Sequence, residues 1–333
     1  MHFFFGGGTF VDGTPGQEAR IFRSRIALLA ALAGLLLLTP AAPAAGGFGL
    51  IKTFGGCCYG DGQFFTPVGV ATSNRGDVYV VEFNNERIQK FDSSGNFATK
   101  WGSFGYGEGR FFSPSGVATD NRGDVYVADS RNNLIQKFDS SGTFITQWGS
   151  FGSGDGQFDY PTGIATDSRG DVYVTEFFGD RVQKFDSSGD FITKWGSTGY
   201  GPPGQFTAPA AVATDNRGYV YVADSGGNRV QKFDSSGTFI RQWGTYGSAD
   251  GQFLSPRGIA TDNQGDVYVS DYILGRIQKF DSSGNFITKW GSIGSADGQF
   301  SFPVGLATDN RGDVYVADSN NNRVQKFGRI PGK

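Results

Sequence analysis

The sequence predicts an all-β chain: a six-bladed β-propeller built from four-stranded antiparallel blades. Three observations carry this. A Pro anchor recurs at Pro67, Pro114, Pro161, Pro209, Pro256 and Pro303, spaced by 47, 47, 48, 47 and 47 residues, and a fixed period in the forties marks a repeat architecture. Each copy holds four short runs separated by Gly, Asp, Asn and Ser, the pattern of strands joined by hairpins. The last copy stops after Gln-Lys-Phe, while an unattached fourth run, residues 51–56, precedes the first copy.

The elements follow in order within one copy, residues 161–196. Gly163–Thr166 is a first run, residues 167–171 a turn, and Val172–Glu176 a β-branched and aromatic second run. A loop, a third run Arg181–Asp186, a Ser-Ser-Gly turn and a fourth run ending in Trp195 complete it. No segment of the repeats has a helical period long enough to compete. The fourth runs carry Trp101, Trp148, Trp195, Trp243 and Trp290, and Phe54 stands at the same place in the N-terminal run. That run, residues 50–55, is therefore expected to complete the last blade and leave no interior sheet edge open. Expected blades are about 66–102, 113–149, 160–196, 208–244, 255–291, and 302–327 plus 50–55. The one extra residue falls at 199–206, where Pro202-Pro203 replaces an acidic residue.

The segments Pro-x-Gly-[Val/Ile]-Ala, Gly-Asp-Val-Tyr-Val-Ala-Asp and Asn-Asn-Arg-[Val/Ile]-Gln-Lys-Phe-Asp resemble the NHL repeat. The name-giving Asn-His position reads Asn-Asn or Gly-Asn, as at Asn321-Asn322-Arg323. The resemblance covers six of six repeats and implies the propeller. It says little about function, because one fold hosts many activities. Some NHL propellers bind RNA, and six-bladed relatives that act as lactonases or lyases place acidic, amide or His ligands near the central channel.

Residues 21–45 read as a signal peptide: Arg23 and Arg25, an apolar run from Ile26 to Leu38, and an Ala42-Pro43-Ala44 cleavage signal. Residues 1–20 precede it as an extension of unclear status, and 46–333 form the propeller. The expected localisation is secreted, periplasmic or cell-surface, with no stable membrane span after cleavage. The chain from residue 46 carries 26 Lys and Arg against 30 Asp and Glu. Phosphate binding needs a basic face, so this balance argues against a nucleic-acid partner.

Chemistry-bearing residues are sparse. His2 is the only histidine and precedes the expected signal peptide, so the mature protein is expected to have none, which removes both Ser-His and Cys-His catalysis. The mouth residues after each Pro are Val68, Ser115, Thr162, Ala210, Arg257 and Val304, with no carboxylate or amide among them. No catalytic residue, cofactor or transition metal is expected, and a Ca²⁺ held by channel carbonyls stays open. Acidic residues recur at the end of the second run. Five are followed five residues later by arginine: Glu82–Arg87, Glu176–Arg181, Asp224–Arg229, Asp271–Arg276 and Asp318–Arg323. They read as structural clasps. In the sixth copy Asp129 meets Leu134, with Arg131 nearby. Cys57 and Cys58 suit a vicinal disulfide in an oxidising compartment. The four Arg-Gly-Asp triplets fall on the first hairpin turn and read as turn chemistry.

The copies differ most in the loop after the acidic residue. Odd blades carry Phe83, Phe177-Phe178 and Tyr272-Ile273, whereas even blades are polar. These side chains and Arg257 are the candidate contact residues, since exposed apolar loops rimmed by polar ones mark contact surfaces. The expected function is an exported binding or scaffold module, a monomer, engaging a protein, peptide or envelope glycan through one face. The alternatives are a lyase- or lactonase-type enzyme and a structural repeat protein without a specific ligand.

Overall fold

The computed structural model describes residues 47–330. The expected extension 1–20 and leader 21–45 lie outside the described residues. Within them are six four-stranded antiparallel sheets. After the N-terminal strand β1 (Phe48–Gly55), blade 1 runs β2 (Pro67–Thr72), β3 (Val78–Glu82), β4 (Arg87–Phe91) and β5 (Phe97–Trp101). Blade 2 is β6 (Pro114–Thr119), β7 (Val125–Asp129), β8 (Leu134–Phe138) and β9 (Phe144–Trp148). Blade 3 is β10 (Pro161–Thr166), β11 (Val172–Glu176), β12 (Arg181–Phe185) and β13 (Phe191–Trp195). Blade 4 is β14 (Pro209–Thr214), β15 (Val220–Asp224), β16 (Arg229–Phe233) and β17 (Phe239–Trp243). Blade 5 is β18 (Pro256–Thr261), β19 (Val267–Asp271), β20 (Arg276–Phe280) and β21 (Phe286–Trp290). Blade 6 is β22 (Pro303–Thr308), β23 (Val314–Asp318) and β24 (Arg323–Arg329), with β1 as its outer strand.

The closure follows the register the aromatic residues require. Phe54 pairs opposite Val324 in blade 6, as Trp101 pairs opposite Ile88 in blade 1. The strand is longer than the expected 50–55 run, because a bulge around Ile51 lets Phe48 and Gly49 pair with Arg329 and Gly328. Phe48 then packs edge-on against Trp290 at 5.0 Å.

Period-two alternation explains the core. Val70, Val78, Val80 and Phe91 of blade 1 face blade 6, where they meet Ala307, Tyr315, Ala317 and Val324. Ala71, Tyr79, Val81 and Ile88 face blade 2 and meet Phe111, Val117, Val125, Val127 and Phe138. The hydrophobic core is thus divided among inter-blade seams, and each blade is apolar on both faces, as a fully buried strand set must be. The indole of Trp101 lies against Gly142 of the next blade, where a Cβ would come within 2.6 Å of the ring. Gly142 also has φ 92°, so the Ser-Ser-Gly turn requires glycine for both conformation and space. Phe54 covers Gly95 of blade 1 in the same way.

The channel wall is a closed ring of hydrogen bonds. Each inner strand ends in threonine, and each hydroxyl donates to the threonine carbonyl of the preceding blade. The sequence runs Thr119 to Thr72, Thr166 to Thr119, Thr214 to Thr166, Thr261 to Thr214, Thr308 to Thr261 and Thr72 to Thr308, at 2.6–2.9 Å. The Arg-Gly-Asp turns lie at this end. In blade 2, Asp120 Oδ1 accepts from the Arg122 and Asp124 amides, and its Oδ2 takes the Tyr126 hydroxyl at 3.1 Å. Asp124 is ion-paired with Lys137 at 2.9 Å. The aspartate of this triplet is therefore committed to the blade. Blade 4 has Tyr219 in that place, and Lys232 sits over its ring at 3.9 Å.

Candidate functional site

The opposite end of the ring is where the copies diverge. The Pro anchors pair with the acidic residues, as Pro67 with Glu82, so the loops after those acids share one face with the channel mouth. Backbone bonds fix them there. The Phe83 amide donates to the Thr66 carbonyl, Arg131 to Phe112, Phe177 to Tyr160, and Tyr272 to Ser255, at 3.0–3.1 Å.

The acidic residues hold these loops from below and have no solvent exposure. The clasp is present as an ion pair in four blades: Arg87 Nε lies 2.5 Å from Glu82, Arg181 2.5 Å from Glu176, Arg229 2.8 Å from Asp224 and Arg323 2.7 Å from Asp318. The same arginines donate to carbonyls of the preceding inter-blade loop, as Arg87 does to Tyr59, Gly60 and Gln63.

Blade 5 corrects the expected pattern. Asp271 accepts from the Leu254, Ser255 and Leu274 amides. Arg276 keeps its bonds to Ser248, Ala249 and Gln252, but its Nε is buried without a partner. Asp271 and Arg276 form no clasp because backbone amides already occupy the carboxylate. In blade 2, Asp129 accepts from Phe112, Asn132 and Gln136. Burial pushes its carboxyl up to about 6 against those three donors.

A latch that sequence reasoning missed joins neighbouring blades. The residue before each clasp position is left-handed: Glu86 has φ 51°, Asn133 54°, Asp180 49°, Asn228 52°, Gly275 60° and Asn322 53°. Four of them, Glu86, Asn133, Asp180 and Asn322, point a side-chain oxygen at the amide preceding the next Pro anchor, whereas Gly275 has no side chain to do so and the Ser255 amide beyond Asn228 turns to Asp271. Glu86 accepts from Ser113 at 2.6 Å, Asn133 from Tyr160 at 2.9 Å, Asp180 from Ala208 at 2.8 Å and Asn322 from Thr66 at 2.9 Å. Asn tolerates this conformation best among residues with a side chain, and Glu86 is the poor fit. Burial pushes its carboxyl up to about 7, opposed by the Ser113 amide.

At the mouth, Phe177, Phe178 and Tyr160 form one ring cluster, with centroids 5.2, 5.1 and 6.4 Å apart. Tyr272 stacks on Phe302 at 4.5 Å. Arg257 joins the two groups: its guanidinium lies 5.3 Å from the Phe177 ring and 5.5 Å from the Tyr272 ring, within cation–π range. Phe177 belongs to blade 3 and Tyr272 to blade 5, so Arg257 reaches past blade 4, whose loop has only Gly226 and Gly227 at its centre. Arg257 is half-buried, and its Nε is shielded from solvent without a hydrogen-bond partner. Burial works against its charge, opposed by the Tyr272 and Tyr160 hydroxyls. Burial also raises the Tyr160 phenol, opposed by Arg131 and Arg257. Ile273 is half-buried beside Tyr272, and Phe83 in blade 1 joins none of these ring contacts. Of the expected rim, the structure brings together Phe177, Phe178, Tyr272 and Arg257, and leaves Phe83 apart.

Tyr160 and Phe302 were not foreseen. Both sit immediately before a Pro anchor, with φ 60° and 57°. Bulky residues there carry strain, and the other copies place Thr66, Ser113, Ala208 and Ser255 at this position. A column of the repeats read at that one place was the available signal.

The face is wider than the mouth. Each inter-blade loop lifts an apolar side chain into solvent: Tyr59 is 69% exposed, Phe104 59%, Phe151 70%, Tyr200 76%, Tyr246 75% and Ile293 62%. These loops are tied to the mouth loops, as Asn132 donates to the Gly105 carbonyl and Asn321 to Gly294. Cys57 and Cys58 lie in the first such loop and are disulfide-bonded to each other. In blade 2, Phe104 packs on Phe112 at 5.3 Å and Arg131 lies 5.0 Å above the Phe112 ring, so outer and inner apolar groups are continuous there. Among the described residues, no three His, Cys, Asp or Glu side chains converge as a metal would require, and no helix is long and apolar enough to cross a membrane.

The NHL repeat family model matches residues 66–91, 111–138, 206–233 and 300–327, in blades 1, 2, 4 and 6. The chain is 44% identical to the protein lin-41 of Caenorhabditis elegans over 52 residues, 16% of this chain and 4% of that protein. It therefore spans a small fraction of that relative's length. Among solved structures, a gluconolactonase from Xanthomonas campestris aligns with a TM-score of 0.61 at 13% identity, covering 88% of this chain and 99% of that one. Virginiamycin B lyase from Staphylococcus aureus aligns at 0.55 and 16%, covering 80% and 95%. A chain of a nidogen–laminin complex aligns at 0.52 and 17%, covering 67% and 79%. At these identities the likeness is one of fold. Repeat matches, blade order and strand closure agree: the chain is a six-bladed propeller of the NHL-repeat type.

Proposed function

We propose that this protein is an exported binding module whose mouth face takes up a protein or peptide partner. Export rests on the sequence of residues 21–45. Binding rests on one observation above the others: a circle of six exposed apolar side chains, Tyr59, Phe104, Phe151, Tyr200, Tyr246 and Ile293, surrounds an aromatic mouth on a single face. Large apolar groups held in solvent in every inter-blade loop reduce solubility, and on this face they gather around an aromatic mouth, the pattern of a contact surface, whereas the exposed Ile51, Ile145, Ile192, Ile240 and Ile287 stand singly on the outer strands. Aromatic residues also supply most of the energy at such surfaces.

The test exchanges Phe177-Phe178 for the blade 4 residues at those positions, Ser225-Gly226, as the double variant F177S/F178G. Blade 4 folds with those residues, so the melting temperature should fall little. Affinity capture from a cell-envelope extract should retain a partner on the parent and lose it on the variant, by roughly 2 kcal/mol or about thirty-fold in affinity. Unfolding of the variant would assign the two phenylalanines to packing. Equal capture by both proteins would remove the mouth from the contact surface. Capture released by free saccharide would assign the partner to the envelope glycan.

A further inference from the structure

We propose that Arg257 receives a carboxylate, the free end of a chain or acid whose neighbouring group is apolar. This rests on the mouth face being a contact surface and names what its centre recognises.

A cation withdrawn from water is normally paired. Four other arginines withdrawn from water, Arg87, Arg181, Arg229 and Arg323, each meet a carboxylate, and Arg276, which does not, directs its terminal nitrogens to the Ser248, Ala249 and Gln252 carbonyls. Arg257 is half-buried, and among the described residues it has neither an ion-pair nor a hydrogen-bond partner. Its neighbours are two aromatic faces, Phe177 at 5.3 Å and Tyr272 at 5.5 Å. Folding does not need it, since the other five blades carry Val68, Ser115, Thr162, Ala210 and Val304 in its place.

Geometry narrows the ligand. Nε is shielded, so the side-on fork is closed and the two terminal nitrogens remain. Their end-on fork matches the two oxygens of one carboxylate. A carboxylate monoanion balances the Arg257 charge, whereas a phosphate dianion would bring a further charge against Phe177, Phe178 and Phe302. The ring faces suit an apolar or aromatic group attached to the carboxylate, as in a peptide ending in an apolar residue.

The experiment uses calorimetry on the full chain with three probes: acetyl-Ala-Ala-Phe, its C-terminal amide, and 3-phenylpropionate. The acid peptide should bind at least ten-fold more tightly than the amide. Arg257→Gln should reduce the acid to the level of the amide, and Arg257→Lys, which keeps the charge but not the fork, should fall between. Binding of 3-phenylpropionate as tight as the peptide would make the source a small organic acid, and much weaker binding would make it a chain end. Equal binding of acid and amide, no binding of either at millimolar concentration, or acid preference surviving in Arg257→Gln would overturn the proposal. So would a fall of more than about 5 °C in the melting temperature of both variants, which would make Arg257 structural. Loss of partner capture in F177S/F178G is read separately, so the surface and its carboxylate specificity can fail independently.

Discussion

Replacing Leu134 with arginine should stabilise the protein, and the amount follows from its neighbours. Asp129 has no solvent exposure and only neutral donors, and its carboxyl sits at about 6 instead of the ordinary 3.8. That rise corresponds to roughly 3 kcal/mol of unfavourable charge burial at pH 8. An arginine at 134 would stand where Arg181 stands in blade 3. There the guanidinium meets Glu176 and the carbonyls of Ser153, Gly154 and Gln157. The matching carbonyls in blade 2 belong to Tyr106, Gly107 and Arg110. The exposed Arg110 side chain is screened by solvent. Less the desolvation of the new cation, about 1–3 kcal/mol should be gained, or 2–6 °C at roughly 2 °C per kcal/mol for a domain of this size. The sign of the pH dependence is a second check. Asp129 titrates higher when folded, so the parent loses stability as pH rises from about 4 to 6 and stays level above that. Leu134→Arg should remove that fall. Thermal unfolding at pH 4.5 and pH 8 measures both. A variant no more stable than the parent at pH 8, with the same pH profile, would refute the reasoning.

Glu86→Asn should also stabilise, because Asn133 and Asn322 make the same latch without a buried charge. The rise of Glu86 from 4.5 to about 7 is worth roughly 1–2 kcal/mol after discounting for partial exposure. The parent should lose that amount as pH rises from 4.5 to 7, and the variant should not, as denaturant titrations across this range would show. Deleting residues 48–55 removes the outer strand of blade 6 and the Phe54 ring from a seam with Phe64 and Phe91. At least about 3 kcal/mol should be lost, with aggregation through the bared β24 edge. A deletion that melts with the parent and stays monomeric by light scattering would contradict the closure.

The repeat made the frame legible. Aligning six copies located every strand, and Phe54 in the place of five tryptophans disclosed the closing strand. The mouth was only partly legible, for a physical reason. Alignment shows which residues are equivalent, not which ones meet. Contact between Arg257 and Phe177 depends on ring closure and on two glycines in the blade between them, neither of which is visible at position 257 itself. The exposed circle escaped because its residues fall in loops whose Gly and Asp content read as turns. The missing clasp in blade 5 escaped because the Ser255 and Leu274 amides turn to Asp271, a backbone effect that leaves the Asp–Arg spacing unchanged.

The β1–β24 seam has a consequence for the order of assembly. Synthesis runs from the N-terminus, so the first strand made is the last to find its partner, some 270 residues later. Bringing those ends together costs roughly 5 kcal/mol in chain entropy. The seam is therefore the slowest joint to form and the natural place for the ring to open under load. Phe177 belongs to blade 3, across the ring from it, whereas Arg257 and Tyr272 belong to blade 5, beside it, and Tyr272 stacks on Phe302 at the start of blade 6. A molecule that breathes at its seam thus moves the blade against which Tyr272 is stacked, and the spacing between Tyr272 and Phe177 is coupled to the state of the seam.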